Sequence, residues 1–432
     1  MSPVATGVIG IGALFMLLAS GMPVAFAMGL VGFVGSCYLI SMDAGLSIMG
    51  IVPYSTTAAY NLSVLPVFIL MGQFAMYGGF TKDLYRAAHK WLGHLPGGLA
   101  MATIGACAGF SAISGSSVVT AATMGEVALP EMKRYEYAPS LATGSVAAGG
   151  GLGILIPPST IFIIYCILAE ESIGKLFAAG ILPGLLLTVL LMLSVYVQVR
   201  HNPRLAPPIP KVSNREKIGS FKGTWQVLLL FGIVMGGIWT GVFTATEGAA
   251  IGASGAFLLA FASRRLSWRE FLSSLKQAAQ TSAMAFAIVI GAMIFGYFLS
   301  VTRLPTELAS WMAGLGLPRY LILIVVILTL LLLGCVMESL SMVLLTIPIF
   351  LPVIEALGFD TLWFGVLVAL VVEMGVITPP VGLNVYVISG VARDVPLEVI
   401  FRGIFPFLLA VMICIALMII FPQLALFLPG IL

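Results

Sequence analysis

The chain has 432 residues, of which 60% are hydrophobic and only 9% charged, with a mean hydropathy of +1.13. A soluble domain carries about 25% charged residues, so the composition excludes a soluble enzyme and indicates an all-α, polytopic membrane protein in a lipid bilayer. The formal net charge of +3 implies no nucleic-acid partner, because the cations lie in connecting segments rather than in one patch.

Apolar runs able to cross a hydrocarbon core of about 30 Å recur along the chain. The opening MSPVATG lacks a basic n-region, so 4–20 reads as a first helix rather than a signal peptide. Spans near 23–41 and 62–78 and an amphipathic stretch, TKDLYRAAHKWLGHL, follow. The apolar segment from 97 to 130 is interrupted by FSAISGSSVVT. Its serines continue a span poorly, and the halves on either side are short, so this segment reads as a re-entrant hairpin with its tip buried in protein or facing water. A span broken by Pro157 and Pro158, over about 139–169, and a last span near 176–199 complete a first repeat, residues 1–199.

Residues 200–223 carry Arg200, Arg204, Lys211, Arg215, Lys217 and Lys222 against a lone Glu216. Such a basic loop between spans is expected in the cytoplasm. After it, residues 224–432 offer the same series: spans near 224–242, 247–263 and 281–299, a hairpin over 318–352 with LGCVMESLSM at its tip, a span over 361–391 broken by Pro379 and Pro380, and a last span near 403–421. The landmarks keep one spacing. Gly153 and Gly375, Pro130 and Pro352, and Pro96 and Pro318 are each 222 positions apart, and Pro183 and Pro406 are 223 apart. The first hairpin is flanked by Lys82, Arg86, Lys90, Lys133 and Arg134, the second by the nearly balanced Arg303, Glu307, Arg319, Glu355 and Asp360. The bases are therefore expected on opposite faces, the first in the cytoplasm, which makes the repeats inverted and puts both termini in the periplasm.

Each proline pair removes backbone donors and leaves carbonyls free around Gly153 and Ile154, and around Gly375 and Val376. Free carbonyls at membrane depth are costly unless something takes them up, and an alkali cation suits them. The half-helices that begin after each break present N-terminal amides, which favour an anion such as a carboxylate. Paired interrupted spans in two repeats point to the binding site of a secondary transporter. Hydroxyls of Ser111 and Ser114 are candidates to join the carbonyls of the first break. Of the membrane carboxylates, Glu338 at the second tip and Glu373 before the second break are candidates for carrying a proton or for a structural role, while Glu126 and Glu247 read as hydrogen-bonding between helices. The five cysteines (Cys37, Cys107, Cys166, Cys335, Cys414) lack CxxC spacing, and His89, His94 and His201 lie in charged connecting segments. No transition-metal site and no imidazole relay is expected in the spans, nor any cofactor beyond the coupling ion.

With these pieces in place the chain resembles the large membrane subunit of tripartite ATP-independent periplasmic (TRAP) transporters, the DctM-like family. The likeness runs over nearly the whole chain and is carried by GFSAISGSSVVTAATMG, GLGILIPPS, GVFTATEGAAIGA, PIFLPV and MGVITPPVGLNVYV. The resemblance implies a sodium-driven, elevator-type importer of organic acids in the inner membrane. It implies two partners, a small four-helix membrane subunit and a soluble periplasmic binding protein; the small subunit is expected as a separate chain. It further implies one sodium site at Ser111, Ser114, Gly153, Ile156 and Pro158, and a second at Gly334, Gly375, Thr378 and Val381. The substrate is expected near Ser116, Ser117, Ser159, Ser339 and Asn384. The competing reading is a stand-alone sodium- or proton-coupled carboxylate symporter without partners. An intramembrane serine hydrolase is disfavoured because the spans carry no histidine or lysine base, and a passive channel because two closed hairpins suit alternating access.

Overall fold

Two proline pairs and two polar interruptions cut this apolar sequence into helices. The computed structural model describes residues 2–314 and 316–432, and every regular element among them is helical. Among the described residues eight segments are long and apolar enough to cross a bilayer.

Helices α1 (Pro3–Ala19) and α2 (Val24–Leu39) are the first two spans. A helix that the sequence did not suggest follows: α3 (Met42–Thr57), capped by Ser41, whose Oγ accepts from the Ala44 amide at 3.1 Å. Its internal Pro53 and weak apolar character hid it. A 3₁₀ turn, Tyr60–Ser63, leads into α4 (Val64–Tyr77), and α5 (Phe80–Leu92) is the amphipathic stretch. Helices α6 (Gly98–Ser114) and α7 (Ser117–Arg134) form the first hairpin, α8 (Pro139–Leu155) and α9 (Thr160–Ala169) the first broken helix, and α10 (Ile173–His201) closes the half.

The second half begins inside the expected linker with α11 (Asn214–Trp239), capped by Ser213, then α12 (Ala245–Ala262) and α13 (Trp268–Thr302). The start of α13 lies well before the expected 281, because a Ser267–Glu270 capping box initiates a polar, alanine-containing turn that hydropathy alone does not register. A second correction concerns Glu247: it closes a capping box with Thr244 at the start of α12, accepting from the Thr244 amide at 2.8 Å, rather than bridging helices. Next come α14 (Leu304–Gly314), the hairpin α15 (Arg319–Gly334) and α16 (Ser339–Ala356), the broken helix α17 (Thr361–Ile377) and α18 (Leu383–Val391), then α19 (Leu397–Ile420) and a terminal turn, α20 (Gln423–Leu426).

Packing exchanges helices between the halves. Helix α2 lies along α13 and α12 along α4; α7 packs on α18 and α16 on α9. At the centre, α8 and α17 pack on each other, and every residue of Leu141–Leu155 and of Trp363–Ile377 is buried. A helix enclosed on all sides is apolar on all sides, which is why neither shows an amphipathic face. The glycines of α8 permit this crowding, as small residues do where helices meet in lipid. A Cβ on Gly144 would meet the Gly403 carbonyl oxygen of α19 at 2.5 Å, and one on Gly150 would lie 2.6 Å from the Ala121 Cβ of α7.

Candidate functional site

The first hairpin turns at Gly115, whose φ of +60° is left-handed and suits glycine. Ser116 then caps α7, its Oγ accepting from the Val119 amide at 3.5 Å. This tip rests on the first break. A Cβ on Gly153 would stand 2.6 Å from the Ser116 carbonyl oxygen, and one on Gly115 would stand 2.6 Å from the Pro158 carbonyl oxygen. The Thr160 amide and hydroxyl both donate to the Gly115 carbonyl, at 3.3 and 3.1 Å. The second tip meets the second break in the same way, since a Cβ on Gly375 would come within 2.7 Å of the Gly334 carbonyl carbon. Glu338 caps α16, accepting from the Ser341 amide at 3.2 Å and the Ser341 hydroxyl at 3.3 Å.

The structure therefore brings Gly115 and Ser116, next to Ser114 in the chain, against Gly153 and Pro158 at the first break. Ser111 lies in the last turn of α6, fully buried, and its Oγ has no hydrogen-bond partner. Ser114 Oγ is 2.8 Å from Thr120 Oγ1 across the hairpin. The Ile156 side chain points away, toward Gly184 of α10, which leaves its backbone carbonyl as the group it offers. Pro157 stands where an amide would otherwise bond the Gly153 carbonyl. The Ile154 carbonyl, expected free, accepts from Ser159 Oγ at 2.5 Å. At the second break the Thr378 amide donates to the Gly375 carbonyl (3.1 Å) and its hydroxyl to the Met374 carbonyl (2.5 Å). Val381 is half-buried beside the left-handed Gly382. The two breaks differ in surroundings: Pro157 and Pro158 are buried, Pro379 and Pro380 exposed. Both proline pairs contain a cis peptide bond.

Between the tips lies a cavity of about 350 Å³, within the size range of small-molecule pockets. Ser116, Ser117 and Ser339 line it. Ser159 and Asn384 do not. Ser159 instead caps α9 and bonds Ile154, while the buried Asn384 Nδ2 donates to the Ala147 carbonyl at 3.3 Å. In their place the structure supplies Gln73 of α4, Thr281 of α13 and Thr160 of α9. Gln73 is 4% exposed and its Oε1 has no partner. Its signal was a single amide inside the apolar VLPVFILMGQFAMY.

The N-termini of α7, α9 and α16 all reach this cavity, at Ser117, Thr160 and Ser339. Such termini favour negative charge, and at α16 the Glu338 carboxyl already takes that place. Among the described residues no lysine, arginine or histidine lines the cavity, so an anion here meets hydroxyls, an amide and helix dipoles, together with the Glu338 carboxyl at the start of α16. Glu373 stays apart from it, fully buried on α17 with both carboxylate oxygens unpartnered. A Cβ on Gly151 of α8 would come within 2.5 Å of its Oε1. Among the described residues no group of three His, Cys, Asp or Glu side chains exists to hold a transition metal.

Residues 11–424 match a family model described as the tripartite ATP-independent periplasmic transporter, DctM component. The C4-dicarboxylate TRAP transporter large permease protein DctM of Pseudomonas aeruginosa is 38% identical over 378 residues, 87% of this chain and 88% of that protein. The sialic acid TRAP transporter large permease protein SiaM of Vibrio cholerae is 34% identical over 96% of each chain. An isethionate TRAP transporter permease protein, DctMQ of Oleidesulfovibrio alaskensis, is 34% identical over 93% of this chain and 63% of its own length. The fold is shared with the YdaH transporter of Alcanivorax borkumensis, at a TM-score of 0.67, 15% identity and coverage of 90% of this chain and 91% of that one. The chain thus belongs to the DctM component family of TRAP transporters, as a multi-pass large permease of the inner membrane and not an enzyme.

Proposed function

We propose that the chain imports a small organic acid by sodium-coupled secondary transport. In this reading two inverted repeats, 1–199 and 224–432, carry the cargo by an elevator motion. A small four-helix membrane subunit and a soluble periplasmic binding protein act as partners. The observation that carries the reading is the convergence of both hairpin tips and three helix N-termini on one cavity without a fixed cation. A site built from dipoles and hydroxyls holds an anion and releases it, since it has no buried counter-charge to separate from. The relatives' names speak of C4-dicarboxylates, sialic acid and isethionate; what these share is a small anion, and a carboxylate is proposed here.

Sodium fits the two junctions of tip and break. The first offers the Ser111 and Ser114 hydroxyls with backbone oxygens of Gly153, Ile156 and Pro158. The second offers Gly334, Gly375, Thr378 and Val381. The Ser111 hydroxyl, buried and without a protein partner, has its oxygen free for a cation. Ser116, Ser117, Ser339, Gln73, Thr160 and Thr281 would face the cargo. The repeats are supported by the exchanged helix pairs and by tips that meet breaks at Gly153 and Gly375. Uptake of succinate into proteoliposomes holding the permease and both partners tests the coupling. An inward sodium gradient should drive more uptake than a pH gradient alone. Equal uptake without sodium would overturn sodium coupling and move attention to Glu338 and Glu373.

A further inference from the structure

Beyond the tip cavity, the same three helices, α4, α7 and α13, line a second opening toward the base of the first hairpin. On α4 the lining passes from Gln73 to Tyr77, on α7 from Val119 to Thr123, and on α13 from Thr281 to Gln277. Each step is one helical turn on the same face. That opening is a polar cleft of about 990 Å³ with the start of α5 as one wall.

That wall has the chemistry of an anion site. Gly79 precedes α5 in a left-handed conformation and provides no side-chain cap, so the first amides of α5 are left without intrahelical partners. Thr81 is 1% exposed and lines the cleft with its Oγ1 unpartnered. Lys82 and Arg86 flank it. Lys82 and Arg134 have no acidic group within 4.0 Å among the described residues, and Arg86 is only 3.9 Å from Asp83, whose other oxygen pairs with Arg265. The acidic lining residues, Glu126 and Glu131, lie on α7 across the cleft. Burial moves the His89 imidazole below its ordinary value, so at neutral pH it adds no charge.

We propose that the start of α5, with Thr81, Lys82 and Arg86, is a second and weaker carboxylate site. It receives the anion as it leaves the tip cavity for the cytoplasm. The inference rests on the importer reading, and it identifies a release station in the same permease. Because the wall is cationic and the tip cavity is not, an anion moving from the tip cavity to the cleft gains charge contacts as it gives up helix dipoles.

The test uses full-length protein with Gln277→Cys in a Cys37→Ser background; the other four cysteines are buried. Anionic and cationic methanethiosulfonates then report the local potential. Lys82→Gln with Arg86→Gln should slow the anionic reagent and speed the cationic one, each several-fold, since removing two unit charges roughly 8 Å away through water is worth about 5-fold. Succinate should protect Gln277→Cys, and the double variant should need more of it. In the reconstituted complex the double variant should lower the maximal rate several-fold while half-saturating external succinate and sodium stay unchanged. Unchanged labelling ratios and unchanged protection would overturn the site. A complex that moves no succinate while the labelling results hold would count against the importer reading and leave the anion site standing.

Discussion

Ser111 and Ser114 sit one turn apart, yet their hydroxyls are in different states: Ser114 is paired with Thr120, and Ser111 is buried with no partner. If both serve the first cation, Ser111→Ala should weaken apparent sodium affinity more than Ser114→Ala. A lost buried polar contact costs about 1–3 kcal/mol, or about 5- to 150-fold in affinity. Substrate affinity should fall with it at limiting sodium and recover as sodium rises, because the two bindings are linked. Uptake measured against sodium concentration, beside melting curves, checks this. An unshifted sodium curve with a lowered Tm would make Ser111 a packing residue. The serines were legible because hydroxyls are conspicuous inside a membrane-length apolar run. Gln73 and Thr281 were not, since one polar residue in a span is ordinary and only the fold places them opposite the tips. Ser159 and Asn384 lie outside the cavity lining for the converse reason. Ser159 Oγ and Asn384 Nδ2 serve the backbone carbonyls of Ile154 and Ala147, while the buried Asn384 Oδ1 has no partner.

At the scale of elements, the contact between a hairpin tip and a break depends on glycine. Gly375→Ala would place a methyl within 2.7 Å of the Gly334 backbone, and backbone cannot swing aside as a side chain does. We expect a loss of about 1–3 kcal/mol, read as a lower Tm, with weakened sodium dependence. Gly296→Ala on α13 has nothing within 4 Å of the new methyl and should leave both unchanged. Equal behaviour of the two variants would mean that α15 and α17 separate without cost. The hairpins and breaks were readable from glycine, serine and proline in apolar surroundings. Several stretches escaped, α14 and the start of α11 among them, and two of the omissions, α3 and the start of α13, are one. At the 222 offset Trp268–Gln280 falls on 46–58, inside and just beyond α3. Both are polar helical turns that begin at a serine cap and carry too little apolar surface to register as spans.

At the scale of the whole molecule, exposed apolar side chains cover much of the outside, Phe26, Tyr54 and Trp268 among them, as lipid and partner surfaces require. The described residues form helices only, and no domain for capturing a solute from the periplasm is among them. The permease reconstituted alone should therefore be inactive, and adding the four-helix subunit and the binding protein should restore sodium-dependent uptake. Robust transport by the permease alone would favour the stand-alone symporter. The tripartite reading was legible because the family's motifs span both halves. The cargo was not, because hydroxyls and helix dipoles recognise negative charge without specifying the rest of the molecule.

The exchange of α2 onto α13 and of α12 onto α4 also governs the order of assembly. A ribosome delivers α2 more than two hundred residues before its partner, so the early half must wait in the bilayer with its buried face against lipid. Loop closure over such a distance is slow to be rewarded, and a waiting half is the species that aggregates. Neither half has a finished interior alone. Insertion into the membrane and completion of the fold are therefore separate events, and the second becomes possible only when the chain is nearly all made.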